Sequence, residues 1–289
     1  MNIIIEPSCR RQDEILALKN QTEDILENYF SEIGLNTLDK IIVTDDDTYI
    51  STINKYTGAV NITNTNDFKG ASVVITNLDE TKSLIQTIFM KDFIYFYFLF
   101  KLCNPETDLE NNELIFYHEI GHALDNQILF NKYGYINSDK IYNLNCSSDF
   151  RKNVKDNAIL IWSEYFAERF ASSFTNKPYQ INEINLEQYI NSSNHPHEIV
   201  EQFNHSYRVA YLFSHYISFF HCKNIDAPLF KKYQPNDNIF KYLCVFKELS
   251  EILLNLYDNC GIWNFDKNID YLADVFEKLI ILEREYYNF

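Results

Sequence analysis

Glycine and proline are scarce in this 289-residue chain, with only six of each. All-β sandwiches and barrels need many tight turns and normally contain more of both residues. Aromatic residues are abundant by contrast, at 16% of the chain. The composition therefore favours a mostly helical protein, and the length is sufficient for a substantial hydrophobic core.

Long basic stretches are also missing. The net charge is −16, and no run of lysine and arginine is long enough to follow a nucleic-acid backbone. Because a negatively charged surface repels phosphates, we expect no nucleic-acid partner.

The chain lacks an apolar run long enough to cross a bilayer. Its most apolar stretch covers residues 93–100 and is bracketed by Lys91, Asp92 and Lys101, whereas a membrane-spanning helix needs about 20 apolar residues. The first residues lack the basic segment that opens a secretory signal peptide. We therefore expect no membrane partner, and we expect residues 93–100 to be buried in the core.

Closely spaced cysteine pairs are absent as well. No C-x-x-C pair occurs, and the six cysteines are scattered along the chain: Cys9, Cys103, Cys146, Cys222, Cys244 and Cys260. Such scatter is typical of reduced thiols. Together with the missing signal peptide, it predicts a cytoplasmic protein.

One motif in the middle of the chain carries recognisable chemistry. Residues 116–125 contain the pattern H-E-x-x-H, formed by His118, Glu119 and His122. Residues four apart lie one turn apart on the same helical face, so both histidines can bind one Zn²⁺. Glu119 lies one step around the helix, where its carboxylate can act as general base toward a water on the metal.

The flanking residues predict that this motif lies on a helix, which we expect to cover about residues 108–129. An apolar stripe recurs at every fourth position, formed by Phe116, Ile120, Leu124 and Ile128. Asp125 shares the opposite side with the two histidines.

A second helical pattern at 162–171 supplies the carboxylates that a zinc site needs. Glu164, Ala167, Glu168 and Ala171 share one face. Glu164 is predicted to be the third protein ligand, which leaves the fourth position for water, as a catalytic zinc site requires. Glu168, one turn later, is predicted to accept the outer ring N–H of His118 or His122.

The two segments together resemble the gluzincin branch of zinc metallopeptidases. The pattern H-E-x-G-H-A-x-D followed by E-[FY]-F-A-E-x-F-A is most similar to the anthrax-lethal-factor-like catalytic domain, which the bacterial Pro-Pro endopeptidases share. The resemblance covers about residues 106–176. It implies a Zn²⁺ cofactor and a peptide or protein substrate, with Glu168 and Asp125 orienting the histidines.

This resemblance, with the local patterns, predicts an α+β, mostly helical fold. A zincin-like core of a small β-sheet and an active-site helix would be followed by an all-helical subdomain. The predicted parts are an N-terminal helix and sheet at 1–105, catalytic-core helices at 106–180 and a helical subdomain at 181–289.

Individual elements are predicted from local periodicity. Strands are expected at 3–5, 40–44, 48–53, 59–63 and 71–76, and helices at 13–33, 77–103, 198–222, 236–256 and 269–287. Asn77 or Asp79 is expected to cap the helix that runs to Cys103. Residues 71–76 are the candidate edge strand that would bind an extended peptide by strand addition.

One family feature is not found at its expected place. The similar enzymes carry a tyrosine shortly before the glutamate ligand, which stabilises the oxyanion, but no tyrosine lies between Tyr142 and Glu164. Four residues are therefore candidates for this role, namely Tyr142 and, from the C-terminal part, His205, Tyr207 and His215, with Tyr135 as a further option. A catalytically weak site is the remaining alternative.

Two function classes follow from these patterns. The first is a zinc metalloendopeptidase, a hydrolase in which Glu119 is the general base. The alternative is a zincin-like regulatory protein that senses or cleaves one dedicated cytosolic partner, as the ImmA/IrrE group does. That group also carries H-E-x-x-H, but its usual glutamate-helix pattern fits residues 164–171 less well. A pseudoenzyme is disfavoured because all the predicted zinc ligands are present.

Overall fold

A computed structural model describes residues 2–58, 72–107, 112–134, 149–175, 180–191, 199–259 and 265–287. The protein is mostly helical with a small four-stranded mixed sheet, so the coarse α+β prediction is confirmed. The chain forms two compact units, Met1–Tyr142 and Asn143–Phe289.

The first unit contains the sheet. Its strands are β1 (Asn2–Ile5), β2 (Leu38–Thr44), β3 (Ser72–Leu78) and β4 (Leu84–Lys91), in the order β1-β2-β4-β3. The first three strands in this order are parallel, and β3 is antiparallel to β4. Among the described strands β3 therefore lies at one edge of the sheet. An edge strand is predicted at residues 71–76, and residue 71 lies outside the described part.

In the described part of this unit four helices accompany the sheet: α1 (Gln12–Glu32), α2 (Tyr49–Thr57), α3 (Asp92–Cys103) and α4 (Asn112–Tyr133). Helix α3 packs against both α1 and α4, and α4 also contacts β3 and β4. The H-E-x-x-H helix is thus held against the edge of the sheet. The helix predicted at 13–33 and the strands at 3–5 and 40–44 are confirmed.

Residues 49–53 form the start of helix α2 and Thr48 is its N-cap, so the strand predicted at 48–53 is wrong. The carboxylate of Asp45 accepts hydrogen bonds from the backbone N–H and the hydroxyl of Thr48, which turns the chain at the end of β2. Tyr49 and Ile53, one turn apart, are buried on α2 and pack in one cluster with Phe89 of β4. Helical spacing buries both apolar side chains on one side, so tertiary packing outweighs β-propensity here. The strand predicted at 59–63 lies outside the described residues.

The single helix predicted at 77–103 is also wrong, because a β-hairpin occupies its first half. Strands β3 and β4 pair in register from Ser72 opposite Met90 to Leu78 opposite Leu84. The side chain of Asp79 accepts hydrogen bonds from the backbone N–H groups of Thr81 and Ser83 and closes the turn instead of capping a helix. Only residues 92–103 form the helix, α3.

The most apolar stretch of the chain lies in α3 and is mainly buried, as predicted. The buried side chains include Ile94, Tyr95, Phe98 and Leu99. Within the described part of the chain, no helix is both long enough and apolar enough to span a membrane.

Two buried glutamines join α4 to the rest of its unit. Gln86 of β4 is fully buried and donates to the backbone carbonyl of Ala123 on α4 at 2.8 Å. Gln127 of α4 accepts from the backbone N–H groups of Asn36 and Thr37 before β2, and donates to the carbonyl of Gly34 at 2.8 Å. These bonds set the position of α4 along the sheet, so they also set where the motif histidines lie.

The second unit is helical throughout its described residues. Its elements are α5 (Phe150–Ser172), α6 (Gln180–Asn191), α7 (Ile199–Lys223), the short α8 (Leu229–Lys232), a 3-10 turn (Asn238–Tyr242), α9 (Leu243–Asp258) and α10 (Phe265–Tyr287). Helix α7 packs against α5, α6, α9 and α10. The helices predicted at 198–222, 236–256 and 269–287 are confirmed, with the first turn of the second in 3-10 geometry.

Candidate functional site

The two motif histidines of α4 point at each other. The Nε2 atoms of His118 and His122 are 3.0 Å apart, and the ring planes are nearly perpendicular, at 86°. Both side chains are half-buried. The i, i+4 spacing of the sequence therefore brings two imidazole nitrogens to one point, as predicted.

This separation fits two ligands of one zinc ion. Zn–N distances are about 2.05 Å in proteins, and a tetrahedral angle between two such bonds places the nitrogens about 3.3 Å apart. The observed 3.0 Å differs from this value by a few tenths of an ångström. A small rotation of either ring would remove the difference. The histidine pair is therefore compatible with Zn²⁺.

Glu119 is buried beside the histidine pair, with 7% of its surface exposed. Its Oε1 atom accepts a hydrogen bond from the hydroxyl of Ser72 at 2.7 Å. Ser72 is the first residue of β3, so this bond links the proposed general base to the edge strand. No local pattern points to Ser72, because it lies 47 positions from Glu119 in the sequence.

Asp125 is fully buried on α4, three residues after His122. It shares the helical face of His122, as the periodicity predicts. Its role in orienting a histidine stays a prediction.

In the second unit, Glu164 and Glu168 lie one turn apart on α5 and both contact His215 of α7. The Nε2 atom of His215 is 3.0 Å from Oε2 of Glu164, and its Nδ1 atom is 3.4 Å from Oε2 of Glu168. Burial lowers the pKa of His215, but the hydrogen bonds and charges of the two glutamates outweigh it, so the pKa is raised. The arrangement favours an imidazolium that holds both carboxylates.

Two tyrosines extend this cluster along α7. Tyr207, Tyr211 and His215 follow each other at four-residue intervals, with ring centroids 6.1 Å and 4.4 Å apart. Burial, followed by the charge of Glu164, raises the pKa of Tyr207. The pKa of Tyr211 is also raised, first by the charge of Glu164 and then by burial. Both phenols therefore stay protonated and can donate hydrogen bonds, as an oxyanion stabiliser must.

Tyr211 was missed as a candidate in the sequence analysis. Its four-residue spacing from both Tyr207 and His215 is the signal that could have identified it, since all three share one face of α7.

His205 belongs to a different cluster of the second unit. Its Nδ1 atom is 3.0 Å from Oε1 of Glu283 on α10, a carboxylate that is fully buried and also accepts from the hydroxyl of Ser206. The ring of Tyr189 stacks on His205, with centroids 4.8 Å apart. Of the three candidates on α7, Tyr207 and His215 thus lie near Glu164, and His205 interacts with Glu283.

The predicted ligand set draws on both units, with His118 and His122 in the first and Glu164 in the second. Tyr142 and Tyr135, the remaining oxyanion candidates, lie outside the described residues. The assignments of Glu164 as ligand and of Glu168 as partner of His118 or His122 stay predictions.

Comparisons of the chain with protein-family models, with curated proteins and with solved structures gave no match. The chain's own residues and the geometry within each unit therefore characterise the site.

Proposed function

We propose that this protein is a zinc-dependent metallopeptidase built on a zincin-like core. His118, His122 and Glu164 would bind Zn²⁺, and Glu119 would be the general base. The observation that carries the proposal is the convergence of the two Nε2 atoms at 3.0 Å on a helix whose intervening glutamate is buried beside them.

The residues of α4 divide the chemistry between them. When bound, Zn²⁺ supplies Lewis-acid polarisation and lowers the pKa of water. Glu119 takes the proton from the attacking water and passes it to the leaving amine, which is general acid–base catalysis by one carboxylate. His118 and His122 present neutral imidazole nitrogens to the metal.

Glu164 would be the third ligand, and its neighbours on α7 would orient it and stabilise charge. His215 holds Glu164 through its Nε2 atom, which restricts the orientation of that carboxylate. Tyr211 and Tyr207, whose pKa values are raised by the charge of Glu164, keep their hydroxyl protons and are the proposed donors to the developing oxyanion.

The edge strand of the first unit supports a peptide as the substrate. Strand β3 has β4 as its neighbour among the described strands, and its first residue touches Glu119. An extended peptide that adds to such an edge is held by backbone hydrogen bonds and lies along the strand. The free thiols of Cys9, Cys103, Cys222 and Cys244 support a cytoplasmic location as part of the proposal.

The experiment that tests this function measures metal content and peptide cleavage together. The protein, purified without chelator, is expected to contain about one zinc per chain with nitrogen and oxygen ligands. A mixture of unfolded peptides is then analysed for cleavage by mass spectrometry. The variant Glu119→Gln should retain zinc and lose cleavage, because it keeps the shape and removes the base.

Three outcomes separate the hypotheses. Sulfur ligands in zinc-edge absorption spectra, or no bound metal, would refute the zinc assignment. Full cleavage by Glu119→Gln would refute the base assignment. Bound zinc without cleavage of any unfolded peptide would favour the regulatory alternative, in which one dedicated partner is sensed or cut.

A further inference from the structure

We propose that Ser72 is a positioning residue that orients the carboxylate of Glu119 for proton transfer. This inference rests on the proposed function, because it assigns Ser72 a role in the step that Glu119 performs. The observation behind it is the 2.7 Å hydrogen bond from the Ser72 hydroxyl to Glu119 Oε1.

The strand geometry directs Ser72 toward α4. Successive side chains of a strand point to opposite faces of the sheet. Val73 and Ile75 pack in the cluster on one face, which includes Tyr49 of α2. Ser72 therefore lies on the other face, and β3 contacts α4 there. The contact with Glu119 is a consequence of register, so a shift of β3 by one residue would replace the hydroxyl with a valine.

The burial of Glu119 makes this contact important for its orientation. Glu119 is only 7% exposed and has little access to bulk water, so donors from the protein determine how its carboxylate is held. The last torsion of a glutamate side chain has a broad, shallow energy profile. A hydrogen bond to Oε1 restricts that torsion and leaves the carboxylate plane in one orientation.

Orientation matters because a general base must lie within hydrogen-bond reach of the proton that it takes. A misplacement of about 1 Å in an active site can lower the rate by roughly 100-fold. The Ser72 hydroxyl therefore acts on the chemical step through Glu119, without contacting the reacting atoms.

A role in substrate binding is the competing explanation, since Ser72 lies on the edge strand. Strand addition uses the backbone N–H and C=O groups of the edge, which a change of side chain leaves in place. The two roles thus differ in the kinetic constant that they affect. A positioning role lowers kcat, whereas a direct contact of the Ser72 side chain with the substrate would raise KM.

The test compares Ser72→Thr with Ser72→Val. Threonine and valine have nearly the same shape and both suit a strand, so the pair differs only in the hydroxyl. We expect Ser72→Thr to keep kcat within about twofold of the wild type and Ser72→Val to lower it roughly tenfold, with KM changed less than twofold in both. Circular dichroism and zinc content should be unchanged, and Ser72→Ala replaces Ser72→Val if the valine does not fold.

A second measurement uses the metal-free protein and needs no substrate. A double-mutant cycle combines Ser72→Ala with Glu119→Ala, which removes the acceptor of the hydrogen bond, and follows urea unfolding. We expect the two changes to be non-additive, with a coupling of roughly fivefold or more in the unfolding equilibrium constant.

The results that overturn the inference are specific. Equal kcat values for Ser72→Val and Ser72→Thr, a rise in KM alone, or additive changes in the cycle would each refute a positioning role. Loss of cleavage in Glu119→Gln together with normal cleavage in Ser72→Val refutes only this inference. Full activity of Glu119→Gln refutes the proposed function, and the positioning role with it.

Discussion

The imidazole of His215 joins Glu164 to Glu168, with its Nε2 atom 3.0 Å from the first carboxylate and its Nδ1 atom 3.4 Å from the second. Two carboxylates one turn apart on α5 would otherwise repel each other. The histidine therefore offsets part of their negative charge and restricts both side chains. Because Glu164 is the proposed third zinc ligand, its orientation should depend on His215.

Replacing His215 should therefore weaken zinc binding. We expect His215→Gln to lower zinc affinity about 10–100-fold, the range typical of lost partners of metal ligands. Competition with a fluorescent chelator measures the affinity. His205→Gln is the matched control, since His205 lies on the same helix but contacts Glu283. Equal losses of zinc affinity in the two variants would show that any substitution of a histidine on α7 weakens zinc binding, and that the contact with Glu164 is not the cause.

The two glutamates of α5 should differ in their importance for zinc. Glu168→Gln is expected to keep the fold and to weaken zinc retention or turnover about 10–100-fold, because it removes a partner of the site and not a ligand. Glu164→Gln should retain far less zinc. Dialysis against a weak chelator followed by elemental analysis measures the difference. A larger loss in Glu168→Gln would reverse the two assignments.

Gln86 should be important for the stability of the first unit. It is fully buried, donates to the carbonyl of Ala123 and accepts from the side chain of Asn126. Gln86→Leu removes these hydrogen bonds and leaves buried partners unsatisfied, at a cost of about 2 kcal/mol in the free energy of unfolding. Urea denaturation measures the loss. The exposed Gln234→Leu is the control, expected to change stability by less than about 0.5 kcal/mol.

Stability should fall in mild acid because of His221. Burial, and then the charge of Arg169, lowers its pKa from 6.5 to about 4, while Tyr165 and Ser250 contact its two nitrogens. Below pH 6.5 the unfolded chain thus binds a proton that the folded protein does not. The contribution of His221 to stability is complete above pH 6.5 and is lost as the pH falls toward 4.

Urea denaturation at several pH values between 7 and 4 measures this dependence. The variant His221→Gln should show a shallower fall than the wild type, because it lacks the titrating group. Identical slopes for the two proteins would show that other groups cause the acid sensitivity.

The local part of the fold could be predicted from the sequence. Helical periodicity identified α1, α4, α7 and α10, and the motif spacing predicted that His118 and His122 converge. These features depend on residues within one or two turns of each other, where side-chain spacing alone determines the shared face.

Only the tertiary structure decided the features that depend on distant partners. Residues 84–91 form a strand because β2 and β3 supply its hydrogen bonds, which no local pattern encodes. His215, and not His205, meets Glu164, because the packing of α7 against α5 and α10 decides which histidine faces which carboxylate. The contact of Ser72 with Glu119 joins residues 47 positions apart and depends on strand register. The sequence by itself thus determined which residue types can bind a metal, whereas the packing determined what holds and orients them.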